Sequence, residues 1–99
     1  MRTVRLVIEH DQDYRGRSTS AYSTKEKAEE SFNWNLKQFL DSRKMETVDE
    51  LRDEFDDPDR WWYVDFADNE YLSIDKLDYQ LMVKEITVDP ENDYLEVFY

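Results

Sequence analysis

The stretch STKEKAEESFNWNLKQFLDSR, residues 23–43, determines the fold that we expect for this chain. It opens with Ser23 and Glu26 at the S-x-x-E spacing of a capping box, and it contains neither Gly nor Pro. At helical spacing its apolar side chains fall on one stripe about 120° wide. They are Ala28, Phe32, Leu36, Phe39 and Leu40. The pattern predicts a helix roughly 30 Å long whose apolar stripe is buried against the rest of the chain.

Trp34 is the one large apolar residue of this stretch that lies off the stripe. It falls among Glu30, Lys37 and Asp41, on the face that such a helix turns toward solvent. Two interpretations stay open: a following segment folds back and covers the indole, or the indole is exposed as an aromatic anchor for a partner.

The segments around this helix show strand and capping patterns. Residues 3–10 alternate apolar and polar side chains, which predicts a strand with one buried face, and residues 18–22 are suited to return as its hairpin partner. Thr47 and Glu50 form a second capping box, which begins a short helix that ends before Pro58.

The remaining residues are rich in strand patterns. Residues 60–67, 71–74 and 94–99 are predicted to be strands. Residues 73–81 fit either a helical turn or a strand. Because the apolar phase reverses near Met82, a continuous strand there would require a β-bulge.

Together these elements predict a single α+β domain over residues 1–99. We expect an antiparallel sheet of about five strands, with one long amphipathic helix packed on one face and a second short acidic helix. The chain has no Cys, and it contains no apolar run long enough for a signal peptide or a membrane span. We therefore expect a soluble protein in the cytoplasm of its host cell.

The negative charge is concentrated in the second half of the chain. The formal net charge is −12. Residues 1–45 hold nine Lys or Arg and seven Asp or Glu, whereas residues 46–99 hold four and eighteen. Such a field repels nucleic acid and membrane surfaces and attracts basic partners.

The residues for catalysis are missing, so we expect a protein that is not an enzyme and holds no cofactor or metal. His10 is the only histidine and Gly16 the only glycine, which leaves little for a catalytic triad or a phosphate-binding loop. His10, Asp11 and Asp13 could hold a weak divalent ion, but a solvated loop is the favoured interpretation of that spacing.

The short second helix carries its carboxylates on the face opposite its apolar residues. The acidic row continues past the helix end, and aromatic residues follow it. The predicted partner-binding residues are Asp49, Glu50, Asp53, Glu54, Asp56, Asp57 and Asp59, with Trp61 or Tyr63 as a less polar anchor. Carboxylates four residues apart on a helix are about 6 Å apart along its axis. This row therefore imitates the regular negative charge of a phosphate backbone.

In its size, its acidic second half, the segment 46–59 and the adjacent Trp61-Trp62-Tyr63, the chain resembles a class of small acidic DNA mimics. These are the anti-restriction and anti-CRISPR inhibitors of phages and mobile elements. These proteins share no common fold or motif, so the resemblance transfers no residue roles. It covers about half the chain. It implies an inhibitor that occupies the basic nucleic-acid-binding surface of a target enzyme. Two alternatives stay open: a nuclease inhibitor of the barstar or immunity-protein kind, and a non-inhibitory acidic accessory domain.

Overall fold

The computed structural model describes residues 2–12 and 16–88. Their helices and strands follow one another along the chain as Arg2–Asp11 (β1), Gly16–Tyr22 (β2), Lys25–Ser42 (α1), Val48–Phe55 (α2), Val64–Ala67 (β3), Tyr71–Ile74 (β4) and Tyr79–Val88 (β5). The strands form one antiparallel sheet in the order β2-β1-β5-β4-β3. The predicted α+β class, with a five-stranded antiparallel sheet and two helices, is confirmed. The strand predicted over residues 94–99 lies outside the described residues.

Strand β1 lies inside the sheet, between its hairpin partner β2 and the long strand β5. Its side chains alternate between two environments. Val7 points into the core that α1 covers, whereas Leu6 and Ile8 pack on the opposite face. The hairpin predicted from residues 3–10 and 18–22 is therefore present, with both strands longer than the pattern indicated.

Helix α1 is the predicted amphipathic helix, but its cap is displaced by one residue. The Thr24 hydroxyl, not that of Ser23, accepts a hydrogen bond from the backbone N–H of Lys27, at 3.3 Å. Both residues are good N-caps, but the helix begins at Lys25, so Thr24 occupies the N-cap position. The capping box predicted from Ser23 and Glu26 is therefore wrong.

The apolar stripe of α1 faces the sheet as predicted. Ala28, Phe32, Phe39 and Leu40 are buried, and Leu36 is half-buried at the edge of the same cluster. The Phe39 ring stacks on Tyr79 of β5, with centroids 3.9 Å apart and the planes at 21°. This contact fixes the last turns of α1 over the middle of the sheet.

Helix α2 lies in the same layer and covers the β3 end of the core. Thr47 caps it by accepting from the N–H of Glu50 at 3.3 Å, as the second capping box predicts. The Glu50 carboxylate instead accepts from the N–H of Glu46, one residue before the position that the motif implies. Leu51 and Phe55 are buried, so the acidic side of the helix faces outward.

The strand predicted over residues 60–67 begins only at Val64. Residues Pro58–Arg60 form a 3₁₀ turn, and Trp61 follows it in the left-handed region with φ 60°. The alternating aromatic pattern was misleading here because Asp57 and Trp62 close a tight turn through backbone hydrogen bonds. The chain therefore reverses before it enters the sheet.

The ambiguous residues 73–81 contain both predicted conformations. A 3₁₀ turn, Asp75–Leu77, is followed by Asp78 at φ 48° and then by β5. The pairing of β5 with β1 runs without a break, so the bulge predicted near Met82 is absent. Both apolar phases are used because both faces of the sheet carry apolar clusters: Leu81 points to the helices and Met82 to the opposite side.

Candidate protein-binding surface

The acidic residues predicted as a contact lie together on α2 and the turn that follows it. We call these seven residues the acidic surface: Asp49, Glu50, Asp53, Glu54, Asp56, Asp57 and Asp59. Six of them are exposed, and Asp57 is half-buried. The helix exposes its carboxylates because Leu51 and Phe55 occupy the core on the other side.

Two arginines partly neutralise the acidic surface. Arg52 pairs with Asp49 at 3.3 Å, and Arg60 pairs with Asp57 at 3.7 Å. Within the part of the chain that the structure describes, the other five carboxylates have no cation within 4.0 Å. They are Glu50, Asp53, Glu54, Asp56 and Asp59. The surface therefore keeps most of its formal negative charge.

Asp56 also has a structural role that its position in the acidic row does not indicate. Its carboxylate accepts a hydrogen bond from the backbone N–H of Val64 at 2.7 Å. The bond ties the end of α2 to the first residue of β3. Because one carboxylate carries four lone-pair sites, Asp56 can hold β3 and still face solvent.

The turn between α2 and β3 is closed by its own backbone. Asp57 and Trp62 exchange two hydrogen bonds, with N–H to oxygen distances of 2.9 and 3.1 Å. Inside them the N–H of Arg60 donates to Asp57 and that of Trp61 donates to Pro58. Residues 57–62 therefore form a compact loop, which we call the tryptophan loop.

A second set of hydrogen bonds ties Tyr63, the residue after the tryptophan loop, to the turn before β5. The Asp75 carboxylate accepts from the N–H of Tyr63 at 3.0 Å, and the N–H of Asp75 donates to the carbonyl oxygen of Tyr63 at 3.1 Å. The hydrogen bond between Asp56 and Val64 joins the residues on either side of the loop. Together these bonds hold the loop at both of its ends.

Trp61 is the most exposed large apolar residue that the structure describes. Its exposed fraction is 79%, against 39% for Tyr63, and Trp62 between them is half-buried. The described non-glycine residues with positive φ are Lys44, Trp61, Asn69 and Asp78. Asn and Asp tolerate this region, whereas Lys and Trp adopt it rarely. An L-residue pays roughly 1–2 kcal/mol there. Such strained positions cluster at functional sites.

From the tryptophan loop to the end of α1, cations and aromatic rings alternate in a column. The Arg60 guanidinium carbon lies 5.2 Å and the Lys76 ammonium 5.7 Å from the centre of the Trp62 ring. Lys76 also lies 5.8 Å from the Phe55 ring, so it contacts both the loop and α2. Arg43 extends the column at 5.6 Å from Phe55. Each contact adds about 0.5–1 kcal/mol at an exposed site.

No sequence pattern indicates this column. Arg43, Phe55 and Lys76 are far apart along the chain, and only the packing of α1, α2 and the turn before β5 brings them together. As a result, two of the four cations in residues 46–99, Arg60 and Lys76, contact the rings.

Trp34 is the second exposed indole, with an exposed fraction of 61%. No described segment folds over it, so the interpretation in which it is covered is wrong. Its neighbour Asn33 donates to the side-chain oxygen of Asn69 at 2.9 Å, which links α1 to the turn between β3 and β4.

The other candidate chemistry finds no support in the described residues. The Nε2 atom of His10 lies 3.8 Å from a carboxylate oxygen of Asp78. Asp11 is buried, and Asp13 lies outside the described residues. Across residues 2–12 and 16–88, no three His, Cys, Asp or Glu residues are grouped to hold a metal ion. In the same residues, no helix is long and apolar enough to cross a membrane.

The chain matches no protein-family model, no curated protein sequence and no solved structure.

The strain at Trp61 leads to a prediction about stability. Replacing Trp61 by glycine should give a protein that is about 0.5–1 kcal/mol more stable than the Trp61→Ala protein, because glycine accepts positive φ without a Cβ clash. Both variants lose the indole, so alanine is the matched control for its removal. Urea denaturation followed by circular dichroism measures the difference. Equal stability of the two variants would show that the backbone at residue 61 is unstrained.

Proposed function

We propose that this protein is an acidic inhibitor that binds the basic nucleic-acid-binding surface of a target protein by DNA mimicry, as anti-defence proteins of phages do. The observation that carries the proposal is Trp61. Its side chain is 79% exposed, and its backbone belongs to a hydrogen-bonded loop that adjoins the acidic surface. A partner that covers both would gain charge complementarity and an apolar contact.

The spacing of the carboxylates supports the choice of a basic groove as the target. Asp49 and Asp53 are one helical turn apart, about 6 Å along the axis, and each has a second acid beside it, Glu50 and Glu54. A DNA strand carries one charge per roughly 3.4 Å of axis. The acidic surface thus presents charge at a density comparable with that of nucleic acid.

The two parts of the surface would act at different stages of binding. Long-range attraction between the acids and a basic groove accelerates association. Affinity comes mostly from aromatic and arginine side chains that lose all contact with water in the complex. Trp61, and to a smaller degree Tyr63, are the residues suited to that role.

The fixed geometry of the loop reduces the cost of binding. Ordering a mobile side chain or loop at an interface costs about 0.5–1.5 kcal/mol for each immobilised side chain. The bonds from Asp56 and Asp75, and the contacts of Lys76 with Trp62 and Phe55, order the loop before any partner arrives.

Affinity capture from an extract of the host cell tests the proposal. The immobilised protein should retain a nucleic-acid-binding protein, and duplex DNA should elute that protein at an ionic strength at which salt alone does not. The Trp61→Ala protein, used in parallel, should retain much less of it because the apolar contact is lost. Capture that is insensitive to DNA and equal for both proteins would contradict the proposal.

The type of protein retained also separates the two inhibitor hypotheses. A DNA-binding defence enzyme would fit anti-defence mimicry. A nuclease whose active site is blocked, while a separate DNA-binding surface stays free, would instead identify a nuclease inhibitor of the immunity-protein kind.

The charge of the acidic surface also predicts a response to salt. The free energy of unfolding should rise over the first few tenths molar of added NaCl, because repulsion among the unpaired carboxylates of α2 and the tryptophan loop is screened. The same salt should weaken the complex with the target. Urea denaturation and binding measured across one salt series test both effects. A complex indifferent to salt would exclude the acidic surface as the contact.

A further inference from the structure

The outward face of α1 carries Trp34 and lies outside the acidic surface. The Trp34 side chain is 61% exposed. At 100° per residue, four charged side chains fall within about 60° of Trp34 around the helix axis. They are Lys27, Glu30, Lys37 and Asp41, and all four are exposed. We call these five residues the Trp34 face.

The charges of the Trp34 face do not stabilise the helix that carries them. Across residues 2–12 and 16–88, none of these four side chains has an ion partner within 4.0 Å. Lys27 stands in the first turn of α1 and Asp41 in its last turn. The helix dipole favours the opposite signs at both ends, with acids at the N-terminus and bases at the C-terminus. These two charges are therefore placed against the helix dipole.

The same charges complement a second copy of the helix. Lys27 precedes Trp34 by seven residues, and Asp41 follows it by seven. A two-fold axis at Trp34 that sets two copies of α1 antiparallel therefore brings Lys27 of each copy opposite Asp41 of the other. Glu30 lies four residues before Trp34 and Lys37 three after it, so they also meet across the axis, offset by about 1.5 Å of helix rise. Every charge of the face then lies near an opposite charge.

A groove beside the Trp34 face has room for an aromatic side chain of the second copy. Its volume is about 310 Å³, and Lys37 and Asp41 belong both to its wall and to the face. The apolar part of the wall consists of Leu36, Leu40 and Met45. Leu36 and Met45 are only half-buried, so a ring that enters the groove can cover them. A tryptophan that loses its water in this way is the kind of residue that contributes most to an interface.

The Trp34 face is also a part of the surface where two copies repel each other little. Two molecules with a formal net charge of −12 repel each other as a whole. The Trp34 face, with two bases and two acids, is neutral.

We propose that two copies of this protein associate through the Trp34 face, with their α1 helices antiparallel about a two-fold axis. Each indole lies beside the axis and reaches the groove of the other copy. The contact is a single helix face of 18 residues, about 27 Å long, so the interface is small and the dimer forms in a concentration-dependent manner. This proposal does not rest on the proposed function.

Sedimentation equilibrium of the full chain tests the proposal without any other protein. At about 0.15 M ionic strength, repulsion between distant charges is screened. We expect a monomer–dimer equilibrium at protein concentrations below about 1 mM. Trp34→Ala should weaken the dimer by more than about tenfold, because a central tryptophan of an interface typically contributes at least that much.

An exchange of charges tests the antiparallel arrangement. Lys27→Glu alone places two acids opposite each other across the axis, and Asp41→Lys alone places two bases there. Each should weaken the dimer about threefold or more, because the symmetry repeats the lost pair. The double variant Lys27→Glu/Asp41→Lys restores opposite charges and should regain the parent's affinity. Both new side chains have the sign that the helix dipole favours, so weaker association would not reflect a less stable α1.

Lys84→Glu is the matched control for net charge. It changes an exposed lysine of β5 by the same two charge units as Lys27→Glu, at a position outside the Trp34 face. Its dimer should have nearly the parent's affinity.

Three results would overturn the proposal. They are a parent protein that stays monomeric up to about 1 mM, equal weakening by Lys27→Glu and Lys84→Glu, and a double variant that does not regain affinity. A monomeric parent whose capture of the target is reduced by Trp34→Ala would show that the target, and not a second copy, covers this indole. Because the sedimentation results need no target, the dimer can be refuted while the proposed function stands, and the reverse also holds.

Discussion

Replacing Phe32 by alanine should lower the free energy of unfolding by about 3–5 kcal/mol. The side chain has no exposed surface and lies in the middle of α1, in the core cluster between that helix and the sheet. Its removal leaves a cavity where the helix contacts the sheet. Since a domain of this size has a total stability of about 5–15 kcal/mol, the substitution should remove a large fraction of it.

Trp34→Ala is the matched control for this experiment. It removes a larger aromatic side chain from the same helix, but that side chain is 61% exposed. We expect a change within about 0.5 kcal/mol, as for other surface substitutions. Urea denaturation of the two variants gives the comparison. A Phe32→Ala protein as stable as Trp34→Ala would refute the claim that the buried face of α1 stabilises the fold.

Reversing Asp53 and Asp59 to lysine should slow association with the target about tenfold or more at low salt, because steering by complementary charge raises association rates by that amount. Both carboxylates are exposed and have no cation within 4.0 Å among the residues that the structure describes. Asp57 is a poorer choice, since it is half-buried, pairs with Arg60 and closes the tryptophan loop. Its reversal would disturb the loop as well as the charge.

The control for this reversal keeps the change in net charge and moves it elsewhere. Glu26→Lys combined with Glu30→Lys changes two exposed acids in the first half of α1. Stopped-flow or surface-based kinetics should show association close to that of the parent. Equal slowing by both double variants would mean that only the overall charge matters, and unchanged association of the Asp53→Lys/Asp59→Lys protein would remove the acidic surface as the contact.

The parts of the fold that depend on local periodicity were predictable. The stripe through Phe32 and Phe39 indicated a buried helix face, and the alternation through Val4 and Ile8 indicated a strand. The cap of α1 was misplaced by one residue because Ser23 and Thr24 are both capable N-caps. Only the three-dimensional path of the chain decides between such neighbours.

The turn before β3 was not predictable from periodicity. Trp62, Val64 and Phe66 alternate as a strand would, yet Trp62 forms only an isolated bridge to Asp57. That bridge, the left-handed Trp61 and the bonds from Asp75 depend on contacts between distant residues. The prediction of a bulge near Met82 was wrong for a related reason, since both faces of β5 pack against apolar clusters.

The candidate surface was predictable in its charges more than in its aromatic residues. Exposed carboxylates follow from the composition of α2, because Asp and Glu are seldom buried without partners. The exposure of Trp61 and the column through Lys76 depend on how distant parts of the chain pack.

Competition between duplex DNA and this protein for the captured target tests DNA mimicry most directly. The target's apparent Kd for the protein should rise in proportion to the concentration of a DNA duplex that it binds, and excess protein should release bound DNA. Trp61→Ala should release DNA only at higher concentrations than the parent does. A ternary complex, in which the target holds DNA and the protein at the same time with unchanged affinities, would contradict mimicry.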